Sequence, residues 1–146
     1  MTKDPNVKEI EFQNFSARKA VVEYQDGRRY DGDFDFERLV PDGVGTVVFP
    51  DKDPKLSYQG QWENGRMHGI GVFKWRDKSE YDGSYVNGRK EGYGTFRYQS
   101  GKVYRGFWKE GKQDGTGILN ENVGSAVIGL WKNGELNKIE KEEWEK

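Results

Sequence analysis

The sequence has no cysteine, few apolar residues and no long apolar run, and each absence excludes a class of protein. Without cysteine the chain can form neither a disulfide nor a thiolate metal site. No apolar run approaches the roughly 18 residues of a membrane-spanning helix. The first 20 residues also lack the apolar segment of a secretory signal peptide. These features predict a protein of the cytoplasm.

Charge and hydrophobicity narrow the classes further. The 146 residues carry a net charge of -1, and no cluster of five Lys or Arg residues occurs, which disfavours nucleic acid as a partner. Only 33% of the residues are hydrophobic and 34% are charged, so a large conventional core is not expected. The chain is nevertheless 14% aromatic and has 20 glycines. This composition differs from that of disordered chains, which have few aromatic residues.

The aromatic residues and glycines are arranged in a repeat. The unit Tyr-x-Gly-x-aromatic begins at Tyr30, Tyr58, Tyr81 and Tyr104, with a degenerate copy at Val127. From Tyr58 onward the copies start 23 residues apart, and each of the four good copies is followed by a turn and a Gly-x-Gly segment. A fixed period of this length indicates an array of small structural units.

Each unit predicts a β-hairpin. Alternation along a strand places Tyr58, Gly60 and Trp62 on one face, and the following Asn64-Gly65 favours a type I′ turn. Counting outward from this turn predicts three facing pairs: Trp62 with Met67, Gly60 with Gly69, and Tyr58 with Gly71. The glycines would then leave a trough across which aromatic rings lie.

The connections between hairpins also follow a rule. A three-residue loop ending at Gly101 would pair Tyr104 with Phe96 and keep both on one face, with Gly101 in a left-handed conformation. Lys78 stands at the equivalent place in another loop, so that loop should be strained or differently shaped. The fold class predicted is all-β: a single-layer antiparallel meander of about ten strands, elongated and twisted.

Two segments, YQGQWENGRMHGIGVF from Tyr58 and YDGSYVNGRKEGYGTF from Tyr81, closely resemble MORN repeats. The resemblance covers about residues 20–134 as some five repeats, the last degenerate, after an N-terminal extension or cap strand at residues 1–19. It implies a non-catalytic scaffold or adaptor, in the cytoplasm and in a cytoskeletal or ciliary (axonemal) assembly. A partner helix or extended peptide would bind along the aromatic groove, and self-association as a homodimer is a further implication.

The aromatic residues of the repeat are the predicted partner-binding site, although the sequence leaves open whether they form a groove or only a self-packed core. They lie on one face of the predicted sheet, called the aromatic face below: Tyr58, Trp62, Phe73, Trp75, Tyr81, Tyr85, Phe96, Tyr98, Tyr104 and Trp108. The alternative is a peripheral membrane or phosphoinositide-binding module using basic residues near the hairpin tips: Arg66, Arg89, Lys90, Lys109 and Lys112. A carbohydrate-binding repeat is a third class, disfavoured by the missing signal peptide.

The C-terminal segment, residues 135–146, is rich in Glu and Lys and predicts a capping helix. Its apolar residues Leu136, Ile139 and Trp144 would cover a secondary apolar patch on the opposite face of the sheet. That patch consists of Phe107, Ile118, Ile128 and Leu130.

No catalytic residue, metal site or cofactor is predicted. His68 is the only histidine and falls in a turn position that other copies fill with Glu91 and Asp114. Alternating carboxylates at Asp31, Asp33 and Asp35 favour a solvated strand face over an ion site, because a calcium loop needs a turn with about six oxygens. No phosphate-binding glycine loop occurs.

Overall fold

The computed structural model describes residues 4–144, and these residues form one antiparallel sheet in which every strand pairs with its neighbours in the sequence. The twelve strands are β1 Val7–Asn14, β2 Lys19–Tyr24, β3 Arg29–Asp35, β4 Val40–Val48, β5 Lys55–Glu63, β6 Arg66–Trp75, β7 Glu80–Val86, β8 Arg89–Arg97, β9 Val103–Lys109, β10 Lys112–Asn120, β11 Ser125–Lys132 and β12 Glu135–Trp144. The sheet is not closed, because β1 and β12 each pair with one strand only. The predicted single-layer antiparallel meander is confirmed.

The predicted C-terminal helix is wrong. Residues 135–144 form β12, which pairs with β11 from Lys132–Glu135 to Ser125–Trp144. No helix occurs between residues 4 and 144, and so none there could cross a membrane. Residues 145–146 of the predicted helix and residues 1–3 of the predicted extension lie outside the described residues.

Type I′ turns join the strands within the repeated hairpins, as the Asn-Gly pairs predict. Both central residues have positive φ at four turns: Asn64-Gly65, Asn87-Gly88, Glu110-Gly111 and Asn133-Gly134. Glu110 adopts the same left-handed conformation (φ 50°) as the asparagines it replaces. The geometry of this turn is therefore set by the hairpin and not by asparagine alone.

The three-residue loops between hairpins are also as predicted. Phe96 pairs with Tyr104, and Gly101 has a φ of 95°. Lys78 adopts the same conformation, with a φ of 79°, and its amide donates to the Trp75 carbonyl at 3.2 Å. The shape of the loop is thus retained at Lys78, and the strain lies in the left-handed backbone of a non-glycine residue.

One part of the predicted register is wrong. Trp62 faces Met67 as expected, but Gly60 faces Gly71 instead of Gly69, and Tyr58 faces Phe73. The cause is a bulge in β6, where Gly69 has a φ of 77°. Between these two pairs β6 advances from Met67 to Gly71, which is two residues more than β5 advances from Gly60 to Trp62. Because the shift is an even number of residues, the aromatic side chains keep the predicted face.

The corrected register produces a continuous row of glycines across nine strands. Each glycine pairs with the next one in the row: Gly32, Gly45, Gly60, Gly71, Gly83, Gly94, Gly106, Gly117 and Gly129. A Cβ atom at Gly71 would touch the ring of Tyr58, and one at Gly117 would touch the ring of Tyr104. The row therefore forms a floor without side chains, on which the tyrosine rings lie.

Candidate functional site

The tyrosines that begin the repeats are fixed at the bottom of the aromatic face. Tyr58, Tyr81 and Tyr104 are 0% exposed. Each hydroxyl donates to the carbonyl three residues further along its own strand, at 2.8 Å, 2.8 Å and 2.9 Å. Burial raises the pKa of Tyr58 and of Tyr104 to about 12. These rings are packed and hydrogen-bonded, which makes them structural.

A ladder of edge-to-face aromatic pairs runs over the glycine row. Consecutive ring centroids are 5.0–5.4 Å apart and the ring planes are inclined by 75–88°. The eight rings of this ladder are, in order, Tyr30, Trp62, Tyr58, Tyr85, Tyr81, Trp108, Tyr104 and Trp131. Such pairs contribute about 0.5–1.5 kcal/mol each beyond the burial of their area.

The indole groups also bind the backbone of the neighbouring repeat. Trp62 Nε1 donates to the Gly45 carbonyl at 3.0 Å, and Trp108 Nε1 donates to the Gly94 carbonyl at 3.2 Å. These bonds fix the ring planes and leave little freedom to rearrange around a ligand. The ladder is therefore a rigid base for whatever lies above it.

A second row of rings lies beside the ladder and is less covered. Phe73 contacts Trp75 at 4.5 Å between centroids, Trp75 lies 5.5 Å from Phe96, and Phe96 lies 4.6 Å from Tyr98. The last three of these residues are half-buried and are called the rim below: Trp75, Phe96 and Tyr98. Tyr98 accepts a hydrogen bond from Gln113 Nε2 at 3.0 Å.

The ten residues predicted from the sequence thus lie together on one face but divide into two groups. Six are buried: Tyr58, Phe73, Tyr81, Tyr85, Tyr104 and Trp108. Four are half-buried: Trp62, Trp75, Phe96 and Tyr98. Sequence reasoning left Tyr30 and Trp131 out of the set, although Trp131 follows Trp108 by the same 23 residues that separate the other copies.

Lys90 is a further residue of the aromatic face. Its Nζ lies 5.3–5.6 Å from the ring centroids of Trp75, Tyr81, Phe96 and Trp108. Burial lowers the pKa of this ammonium group. The sequence grouped Lys90 with the basic residues of the hairpin tips, whereas the side chain extends over the rings from its position opposite Tyr85.

The secondary apolar patch of the opposite face is only partly covered. Phe107 is 49% and Ile118 is 38% exposed, while Ile128 and Leu130 are half-buried. β12 does not lie over this patch, since it continues the sheet beyond β11. Phe107 instead contacts Tyr93 of β8, with ring centroids 5.8 Å apart.

The other titratable candidates have local structural partners. His68 Nε2 lies 3.0 Å from a Glu63 carboxylate oxygen, and His68 Nδ1 accepts the Asn87 amide at 3.4 Å. Asp33 accepts hydrogen bonds from Lys19 Nζ at 2.6 Å and from the Val44 amide at 2.8 Å. Within residues 4–144 no group of three or more His, Asp or Glu side chains could hold a metal ion.

Comparison with models of known protein families gives three consecutive matches to the MORN repeat, at residues 58–80, 81–103 and 104–119. No curated protein matches the chain. The MORN repeat is a non-enzymatic module that is generally associated with the binding of proteins or membrane lipids. Residues 58–119 are therefore three consecutive MORN repeats, and the sheet of hairpins with one glycine row and one ring ladder is consistent with a small MORN-repeat protein.

Proposed function

We propose that the protein is a non-catalytic scaffold or adaptor that holds a helix or an extended segment of a partner protein on its aromatic face. The observation that carries this proposal is the half-buried rim beside a rigid ladder. Trp75, Phe96 and Tyr98 lie next to one another, and no second layer covers them within residues 4–144. Contiguous aromatic surface that is partly open to solvent is typical of interaction sites.

The packing of the ladder beside the rim supports a preformed site. Four of the five ladder tyrosines donate to the backbone and two of the three ladder tryptophans donate to neighbouring repeats, so little ordering would accompany binding. Binding therefore costs less conformational entropy than it would on a flexible surface. The cellular setting proposed is a cytoplasmic assembly of the cytoskeleton or cilium, which rests on the family resemblance.

The test compares two aromatic substitutions on opposite faces. Trp75→Ala removes a rim ring, and Tyr93→Ala removes a ring that is 53% exposed on the opposite face. Each variant is used as bait in proximity labelling in the native cell, after circular dichroism has shown that it is folded. The proposal expects partners that are lost with Trp75→Ala and retained with Tyr93→Ala. Equal recovery with both variants would contradict binding on the aromatic face.

A second candidate is binding to anionic membrane lipid. Arg89, Lys109 and Lys112 are exposed at hairpin tips, and none of them forms an ion pair with a residue between 4 and 144. Each well-placed basic residue contributes about 1 kcal/mol to binding at an anionic surface. Sedimentation with vesicles of phosphatidylserine and phosphatidylcholine, compared with phosphatidylcholine alone, separates the two functions. Lys109→Met together with Lys112→Met should weaken lipid binding about 30-fold and leave partner binding intact.

A further inference from the structure

The ammonium group of Lys90 lies among aromatic rings from four consecutive strands. Trp75 belongs to β6, Tyr81 to β7, Phe96 to β8 and Trp108 to β9, and all four centroids are within 5.6 Å of Nζ. No carboxylate of residues 4–144 lies within 4.0 Å of this nitrogen. The rings offer cation–π attraction, but they accept no conventional hydrogen bond. The three N–H donors of Lys90 are therefore available on the aromatic face.

The repeat does not need a cation at this position. In each repeat, one residue of the second strand pairs with the aromatic residue at the fifth position of the Tyr-x-Gly-x-aromatic unit. In three successive repeats these pairs are Met67 with Trp62, Lys90 with Tyr85, and Gln113 with Trp108. Met67 packs against the core through its apolar side chain, and Gln113 bonds to Tyr98. A thioether or an amide can thus occupy the place. Removing a charge from water without an ionic partner opposes folding, so the packing of the repeat does not account for a cation at this place.

The carboxylates of the central sheet lie on the face opposite to Lys90. In β5 to β10 they alternate with residues of the aromatic face: Glu63, Glu80, Asp82, Glu91 and Asp114. On the aromatic face a second ammonium, that of Lys102, lies 4.3 Å over the Tyr98 ring. Lys90 and Lys102 thus flank the rim pair Phe96 and Tyr98, and a bound segment meets positive charge there.

We propose that Lys90 determines specificity in the proposed partner site by binding a carboxylate of an Asp or Glu side chain of the partner segment. The apolar side chains on either side of that acidic residue would lie on the rim rings. This inference rests on the proposed function and adds the chemistry of the occupant: an acidic residue between apolar ones. The carboxylate would complete the hydrogen bonds of Lys90 in surroundings where charge-assisted bonds are strong.

The test uses Lys90→Met, which copies the Met67 arrangement, and Lys109→Met as the matched control. Lys109 is exposed on the opposite face of the next strand, so both variants lose one positive charge. Lys90→Met should fold with an unchanged or higher melting temperature. If it fails to fold, Lys90→Gln, which copies the amide of Gln113, replaces it in every arm of the test.

A phage-displayed library of random 12-residue peptides is selected on the wild-type protein and on both variants. The inference expects enriched peptides with Asp or Glu between apolar residues on wild type and on Lys109→Met, and no acidic preference on Lys90→Met. The best peptide and its Glu→Gln or Asp→Asn form are then measured by fluorescence anisotropy. Loss of either the Lys90 ammonium or the peptide carboxylate should weaken binding about 10- to 100-fold. Loss of both groups together should weaken binding little more than loss of one.

The outcomes separate the inference from the function on which it rests. Enriched apolar peptides without an acidic residue would overturn the role of Lys90 and leave the aromatic face as a binding site. Equal loss of binding in Lys90→Met and Lys109→Met would also overturn it, because net charge alone would then control binding. A further outcome is that the library yields no peptide that competes with the partner protein whose labelling is lost in the Trp75→Ala variant. In that case the inference fails, and so does peptide binding at this face.

Discussion

Replacing Gly83 by alanine is the sharpest test of the glycine floor. Gly83 pairs with Gly94 on one side and with Gly71 on the other, at the centre of the glycine row. A methyl group added there would lie 2.7 Å from the Tyr93 carbonyl oxygen and 2.8 Å from the Tyr81 hydroxyl, and closer still to the Gly94 Cα. Two of these three neighbours are backbone atoms and cannot rotate away.

The magnitude follows from what must move. Ordinary contacts of a Cβ atom are 3.4–4 Å, so β7 and β8 must separate by about 1 Å at this pair. Overpacking of this kind costs about 1–3 kcal/mol. If the Tyr81 hydroxyl shifts as well, its 2.8 Å bond to the Ser84 carbonyl is lost, at a cost of about 1 kcal/mol. We expect a loss of about 2–4 kcal/mol, or about 6–12 °C in melting temperature for a chain of this length.

The assay is urea denaturation followed by tryptophan fluorescence, together with a thermal melt by circular dichroism. Gly101→Asn is the control, because a side chain at Gly101 meets no atom within 4 Å and asparagine tolerates its φ of 95°. The control should lose less than about 1 kcal/mol. A loss for Gly83→Ala that does not exceed the loss for Gly101→Asn would refute the close packing of the glycine floor.

Three further predictions concern the loop at Lys78, the buried tyrosines and β12. Lys78→Gly should raise stability by about 0.5–1 kcal/mol in urea denaturation, because relief of a left-handed lysine outweighs the added entropy of glycine; lower stability would show that φ 79° carries no strain. Tyr58 has a pKa raised from 10.0 to about 12, so its contribution to stability is complete below pH 10 and is lost between pH 10 and 12. The urea midpoint should fall over that range, and less so in Tyr58→Phe; an equal fall in both would contradict the assignment. Deletion of residues 135–146 should lower the melting temperature less than Gly83→Ala does, because every side chain of β12 is exposed; an equally large loss would show that β12 is essential to the sheet.

The sequence alone predicted most of the fold because its turn residues are tied to backbone conformation. Asn-Gly pairs need positive φ at both positions, and the spacing between repeats allows only one loop length that keeps the aromatic residues on one face. The bulge at Gly69 was not predictable from the same logic. A glycine in a strand is compatible with a flat pair as well as with a bulge, and in the folded sheet the Ile70 amide next to the bulge donates to Gln61 Oε1 at 2.7 Å.

The tail shows the limit of local propensity. Residues rich in Glu and Lys favour helix, but so short a helix is marginal in water, whereas the edge of β11 offers backbone hydrogen bonds along its length. A signal for the strand was present in the sequence: Asn133-Gly134 follows the turn at residue 110 by 23 positions, as that turn follows Asn87. The period of the array was more informative here than the composition of the segment.

The division of the aromatic face into floor and rim determines how binding can be studied. The sequence could group ten aromatic residues by face but could not separate them, because alternation gives the direction of a side chain and not its depth. Substitutions at Tyr58, Tyr81 or Tyr104 remove buried, hydrogen-bonded rings and would lower binding by unfolding the repeat. The side chains of Trp75 and Lys90 are half-buried, with Trp75 beside the ladder and the Lys90 ammonium over the rings, so variants there can lose a partner while the sheet stays folded. Loss of binding at these two positions without loss of stability is therefore the result that a structural role of the face alone cannot produce.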